Sequence, residues 1–335
     1  MKTRREVSRA LGASAALAAS PALAETRAMS EAAFHAAIAP ERATFDIIPV
    51  WPHDAPGLTH APITPIVTER STPPALRDRI AEHILRPVLV AMRPERPNGA
   101  ALLIAPGGAY VRLALDKESY ESAAIFDAAG ITTFVLLYRM PGDGHAAGPD
   151  APLQDAQRAL RLIRAQASAF GIDPSRTGVL GFSAGGHLAG SLSLRSDAQT
   201  YDRIDAVDAQ SARPAFTLLL YPVVSMEAPY AHAGSREALL GASPSAGQMR
   251  AYSLENQVHA NAPPSFLVAA ADDQAVPEQN SVVLHQTLRA VGVPSELHIF
   301  ESGGHGFGTR GVVGKPAAIW PELAINWMRA HGALA

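Results

Sequence analysis

Residues 177–190 read Thr-Gly-Val-Leu-Gly-Phe-Ser-Ala-Gly-Gly-His-Leu-Ala-Gly. The first five form a short apolar run that suits a buried strand. Residues Ala184–Leu194 suit a helix. The two meet at Gly181-Phe182-Ser183-Ala184-Gly185, a G-x-S-x-G pentapeptide. A serine at a sharp strand-to-helix turn is forced into strained dihedrals, and small flanking residues let neighbouring backbone approach. The helix start then aims N–H groups at negative charge developing beside that serine. Ser183 is therefore the candidate nucleophile, at the end of a sheet strand.

Working outward, similar runs occur at Ala101–Ala105, Ile131–Tyr138, Phe216–Tyr221, Ser265–Ala270 and Leu297–Phe300. Continuous apolar runs of this length fit strands covered on both faces. Helical spacing lies between them: Leu153, Ala156, Leu160, Ile163, Ala167 and Phe170 share a face, closed by Gly171. Leu284, Leu288 and Val291 share another, as do Ile319, Leu323 and Trp327. The alternation predicts an α/β fold, doubly wound, with a mostly parallel central sheet and helices on both faces. Upstream, Ile63–Val67 and Leu85–Met92 are expected as short strands around a Pro73-Pro74 turn, with Pro62, Pro65 and Pro87 marking edge strands. Residues 25–60 lack periodicity and are expected to be a linker with an irregular N-terminal extension. The interval 223–262 breaks the rhythm with Pro229, Gly234, Gly241, Pro244 and Gly247. It is expected as a flap inserted into a catalytic domain spanning 61–335.

A serine hydroxyl needs a base. His305, in Gly303-Gly304-His305-Gly306-Phe307-Gly308, directly follows the last core run and occupies a glycine-flanked strand-end loop. His187 lies one helical turn after Ser183 and reads as a packing residue. The base needs an orienting carboxylate, and Asp272-Asp273 follows the run 265–270. Asp273 is preferred by its place in the loop, with Asp272 as the rival. The chain order Ser183, Asp273, His305 is that of α/β-hydrolases. An oxyanion hole needs converging backbone donors. Ala184 supplies one, and Gly107 and Gly108 in the turn after Ala101–Ala105 can supply others. Tyr110, Tyr138, His145, Tyr230 and His232 are candidate substrate contacts.

The chain has 335 residues, 47% of them hydrophobic and 18% charged, enough to bury a sizeable core. Net charge is −3. No block of like charge provides the positive field that nucleic acids or membrane surfaces require. Cysteine is absent, which removes disulfides, thiol nucleophiles and Cys-based metal sites. No metal or organic cofactor is expected. Residues 1–24 place Lys2, Arg4, Arg5 and Arg9 before an Ala/Leu-rich stretch ending Ala22-Leu23-Ala24. This is the pattern of an export signal, twin-arginine-like, too short for a membrane span. It predicts a periplasmic or secreted protein with no membrane association once the signal is removed.

The Pro-Gly-Gly turn at 106–108, Tyr138-Arg139-Met140-Pro141, Gly-Phe-Ser-Ala-Gly-Gly-His-Leu-Ala at 181–189, Asp-Asp-Gln-Ala-Val-Pro at 272–277 and Gly-Gly-His-Gly-Phe at 303–307 together resemble α/β-hydrolases of the esterase/lipase kind. The likeness covers about residues 45–331 and is closest to bacterial acetyl-esterase and xylan-esterase-like hydrolases. It implies Ser183 as nucleophile, His305 as base, Asp273 as its orienter, and oxyanion donors among Gly107, Gly108 and Ala184. Two positions depart from the family's His-Gly-Gly-Gly turn: Pro106 replaces the His and Ala109 the third Gly. The donors are backbone groups, so activity is expected to survive, with an altered acyl pocket. The implied substrate is a short-chain ester, acetyl by analogy, on a small molecule or a plant-polysaccharide oligosaccharide. A feruloyl or aryl esterase shares every motif. A non-catalytic carbohydrate-binding relative would have no use for Ser, His and Asp together.

Overall fold

The computed structural model describes residues 29–334; the expected export signal lies outside them. The chain opens with α1 (Glu31–Ile38), β1 (Asp46–Pro49), β2 (Ile66–Glu69), β3 (Arg79–Glu82) and β4 (Val88–Met92). Next come β5 (Ala101–Ala105), β6 (Leu113–Ala114), α2 (Glu121–Ala128) and β7 (Thr132–Leu137). The middle of the chain forms α3 (Ala151–Ala165), α4 (Ala167–Phe170), β8 (Thr177–Phe182), α5 (Ser183–Leu194) and β9 (Thr217–Leu220). It continues through α6 (Ala233–Leu240), α7 (Ala246–Tyr252), β10 (Ser265–Ala270), α8 (Gln279–Ala290), β11 (Ser295–Phe300) and α9 (Trp320–Ala330).

Eight strands form one sheet in the order β1-β4-β7-β5-β8-β9-β10-β11. The β1–β4 and β4–β7 pairs are antiparallel, and the strands from β7 to β11 run parallel. Every residue of β4, β5, β7, β8, β9 and β10 is buried, which is why these strands are continuous apolar runs rather than alternating ones. This is the doubly wound architecture that the sequence pattern predicts. Crossovers place strand C-termini together at one edge, where β5, β8, β10 and β11 release the loops that carry the candidate site. A second, antiparallel sheet of order β2-β3-β6 stands beside it.

The N-terminal region differs from expectation. Residues 29–60 are not a linker: α1 buries Phe34 and Ile38, β1 pairs with β4, and Val50, Trp51 and Ala55 join the core. Polar contacts tie this segment down. Trp51 Nε1 donates to Asp155 Oδ1 at 2.8 Å, and Asp155 pairs with the fully buried Arg139, whose Nη1 reaches the Pro56 carbonyl at 2.7 Å. Arg79 donates to the Ala37 and Ala39 carbonyls at the end of α1 and is held by Asp116. These contacts join the segment to residues 40 to 104 positions away in sequence, so no local period announces them. Strand β4, expected at an edge because of Pro87, is second in the sheet. Pro87 precedes the ladder and accepts from Val50 N–H, so its missing donor costs nothing. The strand expected at Ile63–Val67 runs instead over β2, after Pro65, and β3 and β6 had no counterpart in the sequence pattern.

Candidate active site

Ser183 lies between β8 and α5 with φ at +52°, left-handed backbone for a non-glycine residue. Its neighbours explain the glycines. A Cβ on Gly185 would collide with the Ala105 and Pro106 carbonyls, and one on Gly181 with the Gly185 carbonyl and the Ala189 methyl. The helix therefore closes on the sheet tightly enough to lift Ser183 off it.

His305 Nε2 is 2.8 Å from Ser183 Oγ, and His305 Nδ1 is 2.7 Å from Asp273 Oδ2. A carboxylate only accepts, so Nδ1 carries the ring proton and Nε2 is left to accept from the serine hydroxyl. Asp273 is 4% exposed, and its other oxygen accepts from Ala275 and Val276 N–H, both at 2.9 Å. The carboxylate is thus fixed before the imidazole arrives. Asp272 has different work. Its Oδ1 accepts from Gly303 and Gly304 N–H at 2.8 and 2.7 Å, which clamps the loop that carries His305. Those amide bonds, the Gly304 one first, hold the Asp272 carboxyl below its ordinary pKa.

The turn after β5 runs through Gly108 (φ +133°), Ala109 (+57°) and Tyr110 (+63°). Among the described residues, Gly108 N–H meets no acceptor. Ala184 N–H, at the second position of α5, is one of the unsatisfied donors at a helix start. Both are available to an oxyanion. Gly107 is not: its N–H donates to Glu118 Oε2 at 2.8 Å, so the expectation that it helps form the hole is corrected. Glu118 is buried, and its second oxygen accepts from Tyr221 O–H at 3.1 Å. Burial raises its carboxyl pKa, opposed by His305 and the Gly107 amide. Tyr221 packs edge-on against the His305 ring at 5.2 Å and accepts from Gly308 N–H at 3.0 Å. Glu118 and Tyr221 therefore link the Gly107 turn to the His305 loop. Neither belongs to a recognisable motif.

A cavity of about 360 Å³ opens over Ser183 and His305, bounded also by Gly108, Glu118 and His232. A larger cavity of about 750 Å³ lies beside α2 and residues 92–95, but it holds neither a serine nor a histidine. Of the five candidate substrate contacts, His232 alone borders the site cavity. It leads into α6, and its ring lies near-parallel to that of His305 at 6.5 Å. Burial, then His305, depresses its pKa. The other four are corrected. Tyr110 O–H is spent on His187 Nδ1 at 2.7 Å, and Tyr138 O–H on the Pro106 carbonyl at 2.7 Å. Both tyrosines are buried and support the turn from behind. His145 is buried and accepts from Thr59 N–H at 3.1 Å. The backbone of Tyr230 holds Asn280 Nδ2 at 2.9 Å, and its side chain is exposed. Among the described residues, no cluster of three or more His, Asp or Glu could hold a metal ion, and no helix is long and apolar enough to cross a membrane.

Residues 93–288 match the model of the BD-FAE family. This chain belongs to the BD-FAE family. An acetylxylan esterase of Xylanibacter ruminicola is 33% identical to this BD-FAE member over 224 residues, which are 66% of this chain and 43% of that protein. Endo-1,4-beta-xylanase B of Butyrivibrio fibrisolvens is 36% identical over 205 residues, 61% of this chain and 32% of that one. The chain thus spans less than half the length of these curated relatives. Among solved structures, the acetyl ester-xyloside bifunctional hydrolase of Caldicellulosiruptor lactoaceticus superimposes with a TM-score of 0.66 at 32% identity, over 87% of this chain and 97% of that one. The fold of this BD-FAE member is that of the α/β-hydrolases.

Proposed function

We propose that this protein is a serine carboxylesterase that removes short acyl groups, acetyl foremost, from sugars of plant polysaccharides. The observation that carries the reading is the continuous hydrogen-bond line from Ser183 Oγ through His305 to a buried, twice-bonded Asp273. Relatives named acetylxylan esterase and acetyl ester-xyloside hydrolase support the acyl group and the sugar.

In this reading, Ser183 Oγ attacks the ester carbonyl carbon while His305 Nε2 takes the hydroxyl proton. The carbonyl oxygen becomes an oxyanion that accepts from Gly108 and Ala184 N–H, donors set in place before the reaction and free of competing partners. Asp273 keeps the proton on Nδ1 and stabilises the imidazolium. Collapse breaks the bond to the alcohol oxygen, which leaves with the proton from Nε2. Water then attacks the acyl-serine with His305 again as base, releasing the acid and restoring the hydroxyl. The catalytic unit takes in residues 29–60, whose strand and apolar side chains belong to its sheet and core, with residues 61–334 and their insertion at 223–262, and the pattern of residues 1–24 supports export to the periplasm or medium.

Ser183→Ala is expected to lower kcat for p-nitrophenyl acetate by roughly 10⁴-fold or more with an unchanged circular-dichroism spectrum. Retained turnover removes Ser183 from this role. Comparing acetate with ferulate released from acetylated xylan and feruloylated arabinoxylan separates the acetyl reading from an aryl-esterase one.

A further inference from the structure

The cavity over Ser183 is unusual in its charge. Its lining includes three cationic residues, Arg70, Arg112 and Lys117, and one acidic residue, Glu118. Glu118 feels the charge of Lys117 but forms no ion pair with any of the three among the described residues. Both its oxygens are turned inward, onto Gly107 N–H and Tyr221 O–H. Burial raises its carboxyl pKa, opposed by His305, the Gly107 amide, Tyr221 and Lys117. Arg70 is partly neutralised, its Nη2 lying 2.9 Å from Asp78 Oδ2. Arg112 and Lys117 pair with no carboxylate among the described residues. Arg112 is exposed at the rim and Lys117 is half-buried. The whole chain is weakly acidic, with 28 basic and 31 acidic residues, so this collar is a local feature and not a background of positive charge. His232 also lines the cavity, with Nδ1 engaged by Ser235 Oγ at 2.8 Å.

A neutral sugar ester can take only ordinary hydrogen bonds from Arg112 and Lys117 in the cavity lining. An ester on a sugar that carries a carboxylate gains charge-assisted bonds from both. Resting on the esterase reading, we propose that the preferred substrate is an acyl ester of an acidic sugar, a uronate, whose carboxylate is received by Arg112 and Lys117. The cavity is at the small end of ligand pockets, sized for one acylated sugar unit while the rest of the chain lies outside.

The test compares two acetylated oligogalacturonates of equal length, one with free carboxylates and one with those carboxylates methyl-esterified. The neutral probe p-nitrophenyl acetate and the anionic-acyl probe p-nitrophenyl hemisuccinate run alongside. At 20 mM salt the free acid is expected to be deacetylated with about tenfold higher kcat/KM than its methyl ester, the gain that two exposed ion pairs supply. The ratio should fall toward one by 0.5 M salt, where charges are screened within a few ångströms. In Arg112→Gln/Lys117→Gln the ratio is expected to be near one at any salt. In Arg112→Lys it should persist. The ratio is internal to each variant, so a general loss of activity does not mimic the result. Turnover of p-nitrophenyl acetate with equal rates on the two oligomers overturns this proposal alone, as does a ratio that survives the double substitution. A preference for hemisuccinate with equal oligomers moves the carboxylate to the acyl group and overturns the sugar assignment. No turnover of p-nitrophenyl acetate overturns the esterase reading, and this one with it.

Discussion

At the end of β8 the chain reverses into α5 over Ser183, and at the end of β5 it turns through Gly108, Ala109 and Tyr110. Both turns use left-handed backbone. They are held differently. The first is set by absence of side chains: Gly181 and Gly185 leave room for α5 to seat against β5 and β8. The second is set by buried polar groups brought from elsewhere, with Glu118 on Gly107 N–H, Tyr138 on the Pro106 carbonyl and His187 on Tyr110 O–H. His187 comes from α5, so the two turns are bonded directly to one another. Its Nε2 donates to the Tyr252 carbonyl at 2.6 Å, which also reaches the insertion. Steric fit carries a sequence signature in the form of glycines at fixed spacing. Polar support does not, since any residue that arrives in the right place will serve.

Substitutions at three further positions, each with a smaller effect than Ser183→Ala, test this contrast. Gly185→Ala attacks the sterically set turn, where the added methyl meets two backbone carbonyl oxygens. The expected cost is about 3 kcal/mol of stability, read by urea denaturation, with esterase activity lost in parallel. A variant that folds and turns over normally would show that the helix can shift and that close approach is not what shapes the elbow.

Glu118→Leu attacks the turn set by polar support. It strands Gly107 N–H in the interior, at a cost of about 1–3 kcal/mol. The turn is then expected to lose its alignment, lowering kcat for p-nitrophenyl acetate about tenfold with a smaller change in KM. Glu118→Gln keeps an acceptor for the amide and should restore most of that rate. If both variants fall equally, the acceptor on Gly107 is not what matters. The pH dependence is also fixed in sign. The folded state raises the Glu118 pKa, so it favours the neutral acid. Its contribution to stability is full below the ordinary glutamate value of about 4.5 and is lost as pH climbs toward the raised value. Glu118→Gln should remove that decline from unfolding curves measured between pH 4.5 and 7.

The smallest effect belongs to the bridge between the two turns. Burial holds the His187 pKa at about 4. The unfolded chain takes up this proton near pH 6.5, so the folded state keeps full benefit above that value and loses it as pH falls toward 4. His187→Gln is expected to flatten the stability loss between pH 7 and 5 by about 2 kcal/mol. An unchanged slope would place the acid sensitivity elsewhere, with His232 as the next group to test.

Ser183, Asp273 and His305 were legible because each follows an apolar run that could only be a covered strand. Asp273 stood out from Asp272 on loop position alone, and the geometry divides the two between ring and loop. Residues 29–60 were misread because their partners, Asp155, Arg139 and Asp116, are remote and leave no periodic trace. Gly107 was misassigned because its competitor is a single carboxylate in an irregular stretch. The tyrosines at 110 and 138 looked like substrate contacts because strand-end aromatics often are.

The parallel strands, the elbow at Ser183 and the chain order of Ser183, Asp273 and His305 could be read from the chain alone, since these follow from short-range rules: which runs must be buried, where backbone must turn, and which turns exclude a Cβ. The packed molecule alone shows which amides remain unbonded, where each tyrosine hydroxyl is spent on support, and that Arg112 and Lys117 form no ion pair among the described residues. Those outcomes depend on which side chains from distant segments compete for the same donor, and competition in space has no counterpart in spacing along the chain.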